Sequence, residues 1–425
     1  MNTEQSKPIK RYIERCYDQQ PEREWERMER HRTECAVTLR ALAEHLPPPP
    51  ARVLDCGGGP GRYAIELARR GYEVILFDLS TGCLQLAREK ATDLSRFSNA
   101  SFDAVLLMGP LYHLLEEDER RQALAEARRV LVAGGLVFAA FISRYATLRW
   151  AAAHEPSWPL EHPDLTGMIL TMGVLPPRGE SDAEFVAYFA HPIEVVLLCQ
   201  RAGFEIVTVL GVEGLVSMIE DGVNALSSEA WEAWVDLNYR VTADPSIHGC
   251  VEHLLAVAVK PRWRAVLRQI ARRLNEAGVA YKVVGGAAAT LHGVPVSVKD
   301  LDLETDAEDA YRFQTLFADH VVEPVAIREN EIYRSHFGCF DFDGVAVEVI
   351  GDLHRREGEH RVPTAATIET TVDVDGVPVR VSWLEEETLA YIRRGRLDRA
   401  ALCLPHCDPD RLLALMRGEQ ATEML

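Results

Sequence analysis

The chain has 425 residues, 47% hydrophobic and 26% charged, which is too long for one ordinary core and predicts two domains. Its 46 basic residues face 65 acidic ones, a formal net charge of −19; such a surface repels nucleic-acid backbones, so no nucleic-acid partner is expected. The first twenty residues are polar without a signal-peptide core, and no apolar run is long enough to span a bilayer, so a cytoplasmic location without a membrane partner is expected.

Apolar residues at helical spacing (Ile9, Tyr12, Ile13, Cys16, then Val37, Leu39, Leu42, Leu46) predict helix over 8–46, stopped by Pro47 to Pro50. A short strand at 52–54 runs into Asp55-Cys56-Gly57-Gly58-Gly59-Pro60-Gly61. A helix at 62–70, a strand at 73–78 ending in Asp78, and a helix at 82–92 follow. Then come a strand at 102–108, a helix at 116–131, the turn Gly134-Gly135 and a strand at 136–142. Residues 143–190 read as irregular, with several prolines and tryptophans. The β/α alternation resumes with helices at 193–202 and 227–240 and strands at 204–210 and 253–259. Lys260-Pro261-Arg262 reads as a junction, giving domains 1–260 and 263–425.

The second domain opens with a helix at 263–277, then a strand at 281–284, Gly285-Gly286, and a small-residue helix at 287–292. Asp300-Leu301-Asp302 follows, then a helix around 307–318, strands at 338–342 and 345–350, and a mostly helical end. Of the nine cysteines, only Cys403 and Cys407, with His406, look clustered. They have no partner pair, so no structural zinc is expected, and free thiols fit a reducing compartment.

The first domain carries a glycine-rich turn after one strand and an acid at the end of the next, the layout of a Rossmann-like nucleotide site. The motif is D-x-G-G-G-P-G, not the dinucleotide G-x-G-x-x-G. An acid ending the first strand suits a ligand with a cationic amine better than a pyrophosphate. This stretch resembles motif I of the class I S-adenosylmethionine-dependent methyltransferases. The resemblance spans about 10–260, with its specific motifs within 50–145.

It implies a Rossmann-like α/β sheet with S-adenosylmethionine as cofactor. Asp55, Gly57, Gly59 and Gly61 would line the methionine part, and Asp78 with Ser80 the ribose. Asp93 would be the remnant of the acid that binds the adenine amino group. Met108, at the end of the fourth strand, would face the sulfonium. Beyond it, Tyr112 or His113 would take a proton from an oxygen or nitrogen acceptor; His113 reads equally as a packing residue. In the family strand order 3-2-1-4-5-7-6, the third strand is missing here. Only 24 residues separate Asp78 from Phe102, which predicts a short loop at 92–101 after the helix. The 143–190 insertion sits where relatives build an acceptor pocket. Its Tyr145, Trp150, Trp158 and Tyr188 read either as pocket walls for a small organic acceptor or as hydrophobic capping.

In the second domain, Val283-Val284-Gly285-Gly286 through Gly293, followed by Asp300-Leu301-Asp302, resembles the polymerase-β-superfamily nucleotidyltransferases. Residues two apart on a strand share a face, so Asp300 and Asp302 would point together. The resemblance implies an α+β fold, an NTP partner, Mg2+ on Asp300, Asp302 and Glu348, and a phosphate cradle at Gly285-Gly286. Val296 and Val298 stand where relatives carry Arg and Thr. The stretch from Tyr391 to Arg399 reads as an exposed helix rather than a nucleotide contact.

Together these readings predict methyl transfer from S-adenosylmethionine to a small-molecule oxygen or nitrogen, with a nucleotidyltransferase-like domain appended. The alternatives are nucleotidyl transfer to a small-molecule or protein hydroxyl, and a non-catalytic nucleotide-binding regulator.

Overall fold

A computed structural model describes residues 31–59, 61–77, 98–176, 186–364 and 369–417. Asp78, Ser80 and Asp93 lie outside these residues. Contacts divide the chain into two compact units, Met1–Pro261 and Arg262–Leu425.

The first unit begins with α1 (Arg32–His45), β1 (Arg52–Cys56), α2 (Arg62–Arg69), β2 (Glu73–Phe77) and β3 (Phe102–Leu107). The short helix α3 (Pro110–His113), α4 (Glu117–Val130) and β4 (Leu131–Ser143) follow. β1 pairs in parallel with β2 and β3, and β3 with β4. After the insertion come α8 (Pro192–Arg201) and β7 (Glu205–Gly211), then α9 (Glu220–Asn224), α10 (Ser228–Val241), α11 (Pro245–His248) and β8 (His253–Val259). β8 lies antiparallel between β4 and β7.

The described order is therefore β2-β1-β3-β4-β8-β7. The central strands are near-continuous apolar runs because helices cover both faces. One face packs Leu124, Ala127, Val195 and Leu198 of α4 and α8. The other packs Val37, Ala41, Leu67 and Val235 of α1, α2 and α10 around Phe138. The strand expected to be missing falls mainly in 78–97, outside the described residues. The described remainder, 98–101, is a turn, and among described residues β2 pairs with β1 alone.

The insertion is not irregular. It forms α5 (Ala146–His154), α6 (Trp158–Glu161), α7 (Pro163–Met172) and the paired strands β5 (Val174–Leu175) and β6 (Ala187–Ala190). Pro159 and Pro163 occupy first-turn positions, where the missing N–H costs nothing, so they start helices rather than prevent them. The Gly134-Gly135 turn is likewise absorbed into β4, with Gly134 at φ +82°.

The second unit contains α12 (Arg262–Ala277), β9 (Lys282–Val284), α13 (Gly285–Leu291), β10 (Leu301–Thr305) and α14 (Ala307–Leu316). Strands β11 (Val321–Glu329), β12 (Tyr333–Phe342), β13 (Val345–Glu357), β14 (His360–Pro363), β15 (Glu369–Val374) and β16 (Val377–Ser382) follow. Helices α15 (Leu384–Arg393), α16 (Leu397–Cys403) and α17 (Pro409–Arg417) end it. The sheet order is β11-β12-β13-β10-β9-β16-β15, with β14 on β13. Leu301, Leu303, Val345, Val347 and Val349 face a core built on Leu267, Ile270 and Phe313.

The sequence reading missed β11, β14, β15 and β16. A signal for the β15–β16 hairpin was available in Asp375-Gly376, whose φ values of +49° and +83° suit a tight two-residue turn. Among the described residues no helix is long and apolar enough to cross a membrane.

Phe138 is fully buried in the first unit's core. Phe138→Ala should cost about 3–5 kcal/mol in urea unfolding of the first unit and leave any separate transition of the second unmoved.

Candidate functional sites

The first site is built where β1 ends. Asp55 is fully buried at the penultimate position of the strand. Beyond it the chain turns at once: Gly57 donates its N–H to Phe77 O at 2.7 Å, tying the ends of β1 and β2 together. Gly57 (φ +79°) and Gly61 (φ +80°) hold left-handed conformations that favour glycine. The space is as restrictive as the backbone. A Cβ on Gly57 would lie 2.7 Å from Pro110 Cδ, and one on Gly58 would lie 2.5 Å from both Asp55 Oδ2 and Leu76 Cδ1. The loop is thus pressed between the end of β2, its own aspartate, and the turn after β3. That turn carries Met108 and the helix α3. Gly59 completes the loop at φ +51°.

Tyr112 and His113 both lie on α3, with ring centroids 4.7 Å apart edge to face. Tyr112 is half-buried, and its hydroxyl donates to Met108 O at 3.3 Å. His113 is buried, with Nδ1 3.3 Å from Val186 O. The structure brings Asp55, Gly57, Gly59, Gly61, Met108 and Tyr112 to one end of the sheet.

The aromatic residues of the insertion divide. Trp150 is exposed and stacks on His154, while Trp158 is buried. Tyr188 is buried and donates to Glu194 Oε2 at 2.7 Å, with the Arg120 guanidinium 3.5 Å above its ring. Burial, then the Glu194 hydrogen bond, raises the Tyr188 hydroxyl above its usual range. Arg144 binds Glu194 through one nitrogen at 2.6 and 2.7 Å and donates to Phe189 O, fixing the insertion to α8. The sequence held no signal for this pair.

The second site lies on the sheet face opposite the core. Asp302 on β10 is the register partner of Glu348 on β13 and of Val284 on β9. Aligned neighbours share a face, and both acids alternate with buried residues. Glu348 thus lies on the face opposite Val345, Val347 and Val349, which point into the core. Asp300 precedes the first residue of β10 rather than lying on the strand.

Asp300, Asp302 and Glu348 line one cavity of about 900 Å³, together with Gly285 and Gly286. Burial, then the charges of Asp300 and Glu348, push the Asp302 carboxyl up to about 7. Burial and Asp300 also raise Glu348, and a hydrogen bond with Asp302 pulls it partly back. A donor set of mutually repelling carboxylates fits a divalent cation such as Mg2+.

Two features correct the sequence reading. Gly285 donates its N–H to Glu387 Oε2 at 2.9 Å, so this amide is already taken. Glu387 is buried and also accepts from Ser382 Oγ at 2.5 Å; a buried carboxylate needs such donors. The stretch from Tyr391 to Arg399 is not one exposed helix. It breaks at Gly395 (φ +71°) between α15 and α16, and Arg394, Arg396 and Arg399 line the cavity with Lys299. Lys282 pairs with Glu304 at 3.0 Å within the same lining. Cys403 is buried and His406 is exposed.

Residues 53–135 match the family model described as a methyltransferase domain, and residues 266–402 match that of aminoglycoside-2''-adenylyltransferase. The chain thus carries a methyltransferase domain followed by a nucleotidyltransferase-like domain. The ubiquinone biosynthesis O-methyltransferase of Paracidovorax citrulli is 30% identical over 177 residues, 38% of this chain and 66% of that protein. A protein of Geobacillus sp. (strain WCH70) described as a candidate methyltransferase is 37% identical over 101 residues, 20% of this chain and 40% of that protein. The chain therefore spans less than two thirds of each of these curated relatives. A solved structure from Thermotoga maritima, described as a candidate nucleotidyltransferase, is 34% identical with a TM-score of 0.32 and covers 33% of this chain and 90% of its own.

The raised Asp302 carboxyl has a stability consequence. Its folded value lies above the unfolded one, so ionisation opposes folding, and stability falls as pH rises from the ordinary carboxylate range to about 7. With divalent cations chelated, Asp302→Asn should raise the urea midpoint at about pH 8 and leave it little changed at about pH 4. Equal effects at both pH values would remove the electrostatic account.

Proposed function

We propose that the first unit, assigned to residues 1–260, binds S-adenosylmethionine and methylates an oxygen or nitrogen of a small molecule in the cytoplasm. The observation that carries this reading is the Asp55-to-Gly61 loop, whose glycines let a ligand approach the backbone above a buried carboxylate. The bound cofactor would supply a methyl group made electrophilic by its sulfonium. Asp55 holds the cationic amine, Asp78 and Ser80 the ribose, and Asp93 the adenine. Met108 borders the methyl group. Tyr112 meets the acceptor, with the His113 ring steadying it edge to face, and the proton the acceptor sheds on methylation passes to water. O-methylation has a parallel in the Paracidovorax citrulli relative, which is named for it. Asp55→Asn should weaken S-adenosylmethionine binding about tenfold or more by calorimetry, the loss of one charge-assisted hydrogen bond. Unchanged affinity would sink the assignment.

A second reading concerns residues 263–425, favoured by the pairing of Asp302 with Glu348 across the cavity. Here the unit transfers a nucleoside monophosphate from an NTP to a hydroxyl of an aminoglycoside-type acceptor, as the matched family description suggests. Mg2+ held by Asp300, Asp302 and Glu348 would neutralise phosphate charge. Glu348 takes the proton as the acceptor oxygen bonds to the α-phosphorus and pyrophosphate leaves. Lys299, Arg394, Arg396 and Arg399 hold the triphosphate, with Gly286 beside them, since the Gly285 amide is occupied. Incubation with ATP, Mg2+ and kanamycin should give a product heavier by one AMP in mass spectra. Glu348→Gln should slow its formation by about 10²–10⁴-fold. No product from the unsubstituted chain, with kanamycin or with a panel of other aminoglycosides, would leave this unit as a binding module.

A further inference from the structure

At the end of the first unit's sheet where β4 finishes, a second group of titratable side chains meets. His253 opens β8 opposite Ile142, near the carboxyl end of β4. Glu213 follows β7 and is fully buried; Glu34 comes from α1 and is buried. One ligand atom from each of Glu34, Glu213 and His253 lies within 4.8 Å of the others. His253 Nδ1 is 2.6 Å from Glu213 Oε1 and 3.9 Å from Glu34 Oε2. A tetrahedral metal shell with bonds of about 2.0–2.2 Å spaces its ligand atoms about 3.4 Å apart. The two observed distances bracket that spacing, so small side-chain shifts would close the shell.

A further buried acid stands on α9, which packs against α1. Glu220, on α9, is only 6% exposed, and its Oε1 has no hydrogen-bond partner among the described residues. Its Oε2 lies 3.2 Å from His31 Nδ1. Burial raises the Glu220 carboxyl, His31 lowers it, and the charges of Glu213 and Glu34 raise it further, so the three acids feel one another. Glu213 Oε2 accepts from the backbone N–H groups of Glu252 and His253, which leaves Oε1, beside His253 Nδ1, as its ligand atom. Buried charge of one sign is costly unless a cation compensates it. Mixed imidazole and carboxylate donors suit Zn2+ or a similar first-row divalent ion.

We propose that Glu34, Glu213 and His253 form a divalent transition-metal site that ties α1 to the carboxyl edge of the methyltransferase sheet. Glu220 accepts a hydrogen bond from water in the open coordination position. The site is separate from the glycine loop: β8 is three strands from β1, roughly 14 Å at ~4.8 Å per strand. Its role is therefore to fix α1, not to polarise the methyl donor.

The test uses the full chain, stripped with chelator and dialysed against Zn2+. One zinc per chain should remain in the Asp302→Asn/Glu348→Gln variant, which disables the second unit's acids, and should be lost in His253→Gln. Zn2+ should also raise the melting temperature of the unsubstituted chain and not that of His253→Gln. Should His253→Gln fail to fold, Glu34→Gln takes its place. X-ray absorption at the zinc edge, read on the unsubstituted protein, should show only nitrogen and oxygen neighbours with imidazole scattering. Zinc lost with Asp302 and Glu348, zinc retained without His253 or Glu34, a sulfur neighbour at the zinc edge, or no retained zinc would each overturn the proposal.

Discussion

Asp302 and Glu348 stand opposite each other on parallel strands, half out of water, and much of the second unit is arranged around keeping those charges in place. Parallel register forces the two carboxylates onto one face; a one-residue slip would send Glu348 into the valine core. The sheet cannot relieve their repulsion by turning either side chain away. Relief comes from protonation, from a cation, or from positive side chains nearby. Arg394 supplies the last of these at Asp302, and Arg396 and Arg399 reach the same cavity because the break at Gly395 lets the chain fold back onto it. Glu387 adds a further acid, but one already satisfied by Gly285 N and Ser382 Oγ, so it acts as a brace for the turn.

The first unit solves a different problem with backbone. A ligand bound where β1 ends must approach the chain closely, and side chains at the turn would fill that space. The neighbouring walls are fixed: Pro110 on one side, and Leu76 with Asp55 on the other. Positive φ at Gly57 and Gly61 then bends the loop over the carboxylate without strain. The candidate site of this unit is built from shape and one buried charge, whereas that of the second is built from a balance of many charges around one cavity.

The parts legible in the sequence were those with a local physical signature. Apolar runs gave the central strands, and β8 was read to the residue. The D-x-G-G-G-P-G turn and the Asp300-Leu301-Asp302 run marked both candidate sites, because close backbone approach and paired carboxylates leave marks in a few adjacent residues. The insertion misled because prolines read as breakers also serve as helix starts. Strand β11 was missed because it carries Pro324 and, at a sheet edge, buries only Val325, leaving Val322 and Ile327 exposed, so its apolar residues do not alternate.

What no local pattern could give was contact between distant residues. Glu387 meets Gly285 across 102 positions, Arg144 meets Glu194 across 50, and His253 meets Glu213 across 40. Each involves a charged residue unremarkable in its own segment. A lone Glu on a helix reads as surface, and only the fold shows it turned inward. The buried charges of this chain are for that reason better guides to function than its exposed ones. Exposed charges are already solvated and need no partner, whereas a buried carboxylate must find donors, a proton or a cation. At Glu387 the donors are backbone and serine, and the outcome is a rigid turn. At Asp302 they are too few, and the outcome is a carboxyl held near neutrality until something positive arrives. The number of donors the fold leaves within reach separates a structural acid from one poised to bind.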